Sequence, residues 1–189
     1  MDKIDLLKQI KTIRDKVKVP ALTELAANGD FAVLDLLKLC YYSEKAIAFR
    51  AAWVLEMLER QSPSLFIPVL EVFIADLAKQ NNKSCQRHFS KIIIQYTKPK
   101  AGRIRKKAFD NLPLAKKEQV VAILFEWLIK PGSPVAVQVN CMEALYYLIP
   151  YFPWIKEELM AQIMFYLKDG TAAMQSRGKK LLHNLQEAR

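Results

Sequence analysis

Residues 47–63 read IAFRAAWVLEMLERQSP, and this stretch decides the fold. Apolar and small side chains recur along it at positions i, i+3, i+4 and i+7, which is the spacing of one face of an α-helix. Ser62 and Pro63 then indicate a new helix, because Ser is a favoured N-cap and Pro is tolerated at the first helical position. The stretch therefore predicts one amphipathic helix that is followed at once by another.

The same pattern returns further along the chain. With Leu55 as the anchor, one apolar column continues at separations of 38, 52 and 37 residues, through Ile93, Leu145 and Leu182. A second column stands three residues later, at Leu58, Tyr96, Leu148 and Leu185. The two shorter intervals lie between the about 34 residues of tetratricopeptide repeats and the ~40–47 of HEAT and armadillo units. They indicate a repeat of helix pairs, interrupted once by an insertion.

Arg50 followed by Ala51 and Ala52 resembles the second helix of a HEAT repeat, and the resemblance covers roughly residues 30–187. The signatures of tetratricopeptide and ankyrin repeats are absent from the sequence. The resemblance implies an all-α fold, an α-α superhelix (solenoid) of about four HEAT-like antiparallel helix pairs plus an N-terminal helix.

The intervals and the start and stop signals divide the chain. We predict a single domain over 1–189, with N-terminal capping helices in 1–29 and a basic inter-repeat insertion in 98–114. The predicted elements are an amphipathic helix over 3–17 and helix hairpins over 31–60, 63–97, 116–149 and 154–187. No hairpin of this kind buries its apolar faces alone, so neighbouring repeats are expected to share one continuous core.

Composition narrows the class of protein. The 189 residues carry 29 Lys and Arg against 19 Asp and Glu, a formal net charge of +10, which favours anionic partners. The three cysteines are odd in number and far apart, so we expect no disulfide framework. The charged N-terminus lacks the apolar core of a secretory signal, and the longest uncharged apolar stretch, 144–155, is too short for a membrane span. We therefore predict a cytoplasmic protein without a membrane span.

A polar column stands five residues before each anchor. In a solenoid the second helices commonly line the concave groove, so the column predicts a ladder of side chains that faces a ligand. The alternative is that these side chains bond backbone or acidic groups between helices. With the lysines close by, the candidate groove residues are Arg50, His88, Lys91, Asn140, Arg177 and Lys180.

The insertion is the second candidate site. It concentrates six positive charges in ten residues, at Lys98, Lys100, Arg103, Arg105, Lys106 and Lys107. Such density favours contacts to phosphates, which position a nucleic acid without reading its sequence. A solvated loop or short helix on a basic protein gives the same string of charges.

No arrangement of residues predicts catalysis or a bound cofactor. Cys85 and His88 have the spacing of a pair of metal ligands, but structural zinc needs four ligands and His183 has no such motif around it. No Gly-rich phosphate loop, zinc-protease helix motif or nucleophile elbow occurs in the sequence. We therefore predict no catalytic, cofactor-binding or metal site.

The chain is also similar, at the level of the fold, to the HEAT-like alkylpurine DNA glycosylases, which are basic α-solenoids. The cleft of that family pairs a Trp with an Asp one helical turn later. At that spacing Trp53 is followed here by Met57, and a carboxylate follows only Trp154, at Glu158. The resemblance therefore implies a similar fold but identifies no catalytic residue in this chain.

The groove and the insertion lead to two hypotheses of function. The first is a non-catalytic binding scaffold or adaptor that recognises a protein partner or an anionic surface through the concave groove. The alternative is a nucleic-acid-binding module related to the HEAT-like DNA glycosylases. A protein is the partner we favour, and nucleic acid is the alternative.

Overall fold

The computed structural model describes residues 3–13 and 18–187, and in that part the chain is built of α-helices joined by short turns, without a strand. The helices are α1 (Lys3–Lys11), α2 (Lys18–Ala27), α3 (Val33–Leu39), α4 (Lys45–Gln61), α5 (Pro63–Phe66), α6 (Leu70–Asp76), α7 (Lys83–Thr97), α8 (Arg103–Asp110), α9 (Leu114–Ile129), α10 (Val135–Leu148), α11 (Ile155–Leu167) and α12 (Ala172–Glu187). Short 3₁₀ turns follow α5 and α6, at Ile67–Val69 and Leu77–Lys79.

The helices form the predicted all-α solenoid of stacked helix pairs. The second helices pack side by side in the order α2, α4, α7, α10 and α12. On their other side lie the first helices, of which α3 packs on α4, α9 on α10 and α11 on α12. The predicted fold class is confirmed, and the helices of all four predicted hairpins are present.

The two apolar columns of the sequence form the centre of the core. Leu55, Ile93 and Leu145 are buried, whereas Leu182 near the C-terminal end of the stack is only partly buried. All four members of the second column are buried, namely Leu58, Tyr96, Leu148 and Leu185. The periodicity therefore identified the buried face of every second helix from α4 onward.

The N-terminal helix is shorter than predicted. α1 ends at Lys11, where the hydroxyl and the N–H of Thr12 both donate to the carbonyl of Gln9 and close the last turn. The prediction of one helix through residue 17 is therefore wrong at Thr12 and Ile13, while residues 14–17 lie outside the described part of the chain. α1 packs on α3 and α4, and α2 packs on α4, so this end continues both layers of helices.

Local sequence accounts for the end of α2 and the start of α5. Gly29 follows α2 with φ +79°, a left-handed conformation that glycine adopts at little cost. The next helix, α3, begins after Ala32. Ser62 does precede Pro63 at the start of α5 as predicted, although its side chain makes no capping hydrogen bond.

The basic insertion contains the extra helix α8, which packs against α7 and α5. Its buried anchor is Phe109, which contacts the ring of Tyr151 edge-on. α8 thus lies between the second and the third predicted helix pairs and interrupts their regular succession. Within the described residues, none of the helices has both the length and the apolarity to cross a bilayer.

Candidate functional site

A groove runs across the exposed side of the second helices α4, α7 and α10 and reaches the start of α12. It consists of three cavities of about 470, 370 and 540 Å³. All three share Lys91 in their walls, so they adjoin one another. We call this feature the second-helix groove.

The α4 wall of the groove is aromatic. Phe49 and Trp53 stand one helical turn apart, and their rings stack with centroids 6.2 Å apart and an interplanar angle of 29°. Both side chains are only partly buried, and Met57 continues the wall by another turn. An amphipathic aromatic surface of this kind offers a large contact area at low conformational cost.

Glu56 joins the two walls at the bottom of the groove. Its Oε2 lies 2.6 Å from Nδ1 of His88, and its Oε1 lies 3.4 Å from Nζ of Lys91. Since a carboxylate only accepts hydrogen bonds, Nδ1 of His88 is the donor. The carboxylate of α4 thereby holds two side chains of α7 in place.

The pKa of Glu56 reflects this setting. Burial of the side chain raises the pKa, but the hydrogen bond from His88 and the positive charge of Lys91 together bring it below the usual range of a glutamate. The bottom of the groove therefore carries a stable negative charge whose partners are already in place.

Other cations of the groove have no such partner. Arg60 on α4 and Arg87 on α7 are exposed, and among the described residues no carboxylate lies within ion-pair distance of either guanidinium. Lys98 donates from Nζ to the side-chain oxygen of Gln95 at 2.6 Å. The upper rim of the groove is therefore positively charged, while its acidic groups, Glu56 and Glu143, are paired.

The residues of the predicted polar column bond neighbouring elements. Arg50 donates to the backbone carbonyl of Lys11 at 3.2 Å, and Asn140 donates to the carbonyl of Arg87 at 3.3 Å. Arg177 pairs with Glu143 of α10 at 3.3 Å. Together with the pair of His88 and Glu56, these bonds tie each second helix to a neighbouring helix.

The six predicted groove residues therefore divide into two sets. His88, Lys91 and Asn140 line the second-helix groove. Arg50, Arg177 and Lys180 lie outside its three cavities, and Lys180 is exposed on α12. The structure brings together the central part of the column and leaves both ends apart from it.

In the insertion, Arg105 turns inward and the other cations do not. Its Nε lies 2.5 Å from Oε1 of Glu59, and its Nη2 donates to the carbonyl of Glu59 at 2.8 Å. The side chain of Glu59 is completely buried, and its second oxygen has no hydrogen-bond partner among the described residues. Arg105 thus fastens α8 to the end of α4.

The pKa of Glu59 shifts in the opposite direction from that of Glu56. Burial raises the pKa of Glu59 above its usual range, and the guanidinium of Arg105 offsets only part of that effect. Burial therefore disfavours the negative charge of Glu59, and Arg105 is the close cation that stabilises it.

The remaining cations of the insertion face solvent to different degrees. Lys100, Arg103 and Lys107 are exposed, and Lys106 pairs loosely with Asp110 at 3.6 Å. A lysine–carboxylate pair of this exposure is weak and exchanges readily with other anions. The exposed surface of α8 therefore offers positive charge, although Arg105 itself is turned inward.

Sequence reasoning missed the aromatic wall and its carboxylate. None of Phe49, Trp53 and Glu56 was among the predicted groove residues. The available signal was their spacing from one another, four residues from Phe49 to Trp53 and three from Trp53 to Glu56, since residues three and four apart share a helix face. Arg87 likewise precedes Lys91 by one turn.

Comparison with known proteins bears on the fold. A family model described as a HEAT repeat domain matches residues 7–185, which is nearly the whole chain. No curated protein and no solved structure matches it. The match extends over all the helix pairs described above and gives no support to the resemblance to DNA glycosylases.

Proposed function

The chain belongs to the HEAT repeat family, and on that premise we propose that it is a non-catalytic scaffold which binds an acidic segment of a protein partner in the second-helix groove. HEAT repeats generally serve as scaffolds for protein interactions. The proposal goes further, in that it names the binding surface and the chemistry of the partner.

The proposal rests on the two facing walls of the groove, an aromatic wall on α4 and a basic wall on α7. The partly exposed rings of Phe49 and Trp53 stand on α4, and the exposed guanidinium of Arg87 stands across from them on α7. Aromatic residues and Arg are the side chains that most often dominate binding energy in interfaces. A peptide with apolar residues beside carboxylates would satisfy both walls.

The length of the groove suggests the length of the bound segment. Neighbouring packed helices lie about 8–10 Å apart, so the span from α4 to α12 is roughly 24–30 Å. An extended chain advances about 3.3 Å per residue, and roughly eight residues would cross the groove. Asn140 would then meet the backbone of the segment near its middle.

The test is selection from a random library of displayed eight-residue peptides. We expect enrichment of sequences that combine Asp or Glu with aromatic or large aliphatic residues. The variant Arg87→Glu should bind the selected peptides roughly tenfold more weakly, because it replaces an attraction by a repulsion at the rim.

Lys168→Glu is the matched control, since Lys168 is exposed at the end of α11 and lines none of the three groove cavities. The two variants have the same net charge. If they lose affinity equally, the selected peptides respond only to the overall charge of the protein. Equal losses, or the absence of any enriched acidic sequence, would contradict the proposal.

The alternative function is binding of nucleic acid by the outer surface of α8. The cations Arg103, Lys106 and Lys107 support it, because they are exposed on α8, whereas Arg105 is turned inward. Their contacts would be to phosphates and would carry no sequence preference.

Salt dependence tests this alternative. If α8 binds phosphates, the affinity for a single-stranded oligonucleotide falls steeply with added salt, and Lys106→Ala with Lys107→Ala makes that slope shallower by about two. Arg87→Glu should leave the slope of such a complex unchanged. No binding at low salt would exclude the alternative and leave the peptide groove untouched.

A further inference from the structure

Another surface cavity lies between the first and the second predicted helix pairs, away from the second-helix groove. It has a volume of about 630 Å³ and forms where the α3–α4 loop meets α6 and the α6–α7 loop. None of its lining residues belongs to the second-helix groove. Its volume falls within the roughly 300–1,000 Å³ of small-molecule pockets.

The floor and the mouth of this cavity are apolar. Leu37, Cys40 and Ala48 form the floor and are buried in the core. Tyr42 and Val72, which lie on two different elements, are among the few large apolar side chains that the described surface exposes, at 38% and 41%. Apolar surface left open on both sides of one cavity is a feature of ligand sites.

Three hydrogen bonds fix the walls of the cavity. The side-chain amide of Gln80 donates to the carbonyl of Cys40 at 3.0 Å, and the hydroxyl of Tyr41 donates to the carbonyl of Asp76 at 2.9 Å. Asn82 donates from its amide to the carbonyl of Lys45 at 3.0 Å. These bonds join the two loops, so the cavity keeps its shape without a ligand.

Lysines dominate the charge at the rim. Lys38, Lys45 and Lys79 line the cavity, against Asp76 as the acidic lining residue. Lys38 and Lys79 make exposed pairs with Asp35 and Asp76, and such pairs are weak enough to exchange. Among the described residues, no carboxylate lies within ion-pair distance of Nζ of Lys45.

We infer that this cavity binds a small monocarboxylate with an apolar body, whose chain or ring rests on the Leu37–Ala48 floor while its carboxylate meets Lys45. The apolar floor selects the body and the lysine rim selects the charge. Lys38 and Lys79 swing from their own aspartates toward the bound anion. The site is independent of the peptide groove, and each can fail without the other.

The test is a titration of the ¹⁵N-labelled full chain with octanoate, below its micelle concentration, followed by amide chemical shifts. We expect saturable shifts confined to the residues around Tyr42, Lys45, Val72 and Asn81. Acetate, which keeps the charge, and octanol, which keeps the chain, should each bind roughly fivefold or more weakly than octanoate.

Two variants separate the site from general charge. Lys45→Glu should weaken octanoate roughly fivefold without loss of folding, because an acidic residue is favourable in the first turn of α4. Lys168→Glu should leave the affinity unchanged. Val72→Trp, which fills the mouth, should also weaken binding. Octanol that binds as tightly as octanoate, shifts that map to Trp53 and Arg87, or no saturable binding would each overturn the inference.

Discussion

Two glutamates on α4 stand three residues apart and meet opposite surroundings. Glu56 lies at the bottom of the second-helix groove, where His88 and Lys91 hold its pKa below the usual range. Glu59 lies beneath α8, where burial raises its pKa and Arg105 is its close partner. The same residue type, on the same helix, thus joins α4 to α7 in one case and to α8 in the other.

The difference lies in which charges remain available. In α8, Arg105 bonds the side chain and the backbone carbonyl of Glu59, and these bonds hold the insertion in place. In the groove, the carboxylate of Glu56 is already paired with His88 and Lys91. Arg60 and Arg87 therefore stay exposed to solvent. The density of charge in the sequence is highest in the insertion, but the groove combines free charge with an aromatic wall.

The largest effect is expected from Arg105→Met. The substitution leaves Glu59 buried without its cation, and breaking one side of a buried ion pair costs about 3–5 kcal/mol in the free energy of unfolding. Chemical denaturation at neutral pH measures it. The loss should shrink as the pH falls toward the usual pKa of glutamate, because Glu59, whose pKa is raised, takes up a proton and loses its buried charge.

Arg103→Met is the matched control, since Arg103 is exposed on the same helix. Its effect should stay within about 0.5 kcal/mol. An equal loss of stability in the two variants would mean that α8 is held by its total charge, and the contrast between the two glutamates would disappear.

A smaller effect is expected from Glu56→Gln. Loss of the charge weakens the contacts to His88 and Lys91 and should cost about 1–2 kcal/mol at neutral pH. A glutamate with a lowered pKa contributes stability above its usual pKa that is lost as the pH falls through the lowered value. The difference from the natural protein should therefore persist to a lower pH than that of Arg105→Met. If both differences fade over the same pH range, the opposite pKa directions are wrong.

The hydrogen bonds of Asn140 between α10 and α7 should contribute less to stability. Asn140→Ala removes the bonds to the carbonyl of Arg87 and to the hydroxyl of Ser90. Ser90 is buried, but its hydroxyl also donates to the carbonyl of Arg87 and keeps that partner, so we expect a loss of about 1 kcal/mol. Hydrogen exchange should report faster opening at the start of α10, and uniform exchange along the whole chain would contradict a local role.

The smallest effect belongs to the outer face of α8. Lys106→Ala with Lys107→Ala removes two exposed positive charges. Among the described residues, the ion pair lost is the weak one between Lys106 and Asp110. The stability should change by no more than about 0.5 kcal/mol. A larger loss in thermal unfolding would show that these lysines, like Arg105, help to hold the insertion.

The sequence predicted the fold more fully than the site. Anchors such as Leu55 and Ile93 recur at separations of 37 or 38 residues outside the insertion, and a buried column of this kind can be read without knowledge of contacts. The partner of Glu59 stands 46 residues away, in the insertion, and no periodicity connects the two. Buried acidic residues are rare, so a glutamate within a helical pattern is naturally taken as exposed.

Parts of the site could also have been found. His88, Lys91 and Asn140 were placed correctly on second helices, and all three line the groove. The helix period identifies a shared face but not which groups on it bond each other. For that reason the sequence could not predict the hydrogen bond between His88 and Glu56 or the exposure of Arg87.

The most direct test of the central claim is to locate a bound acidic peptide from the library on the ¹⁵N-labelled protein by amide chemical shifts. Binding in the second-helix groove predicts the largest shifts at Trp53, Arg87 and Asn140, with small shifts in α8. The largest shifts in α8, or on the first helices α6 and α9, would contradict the claim that this protein binds its partner through the second-helix groove.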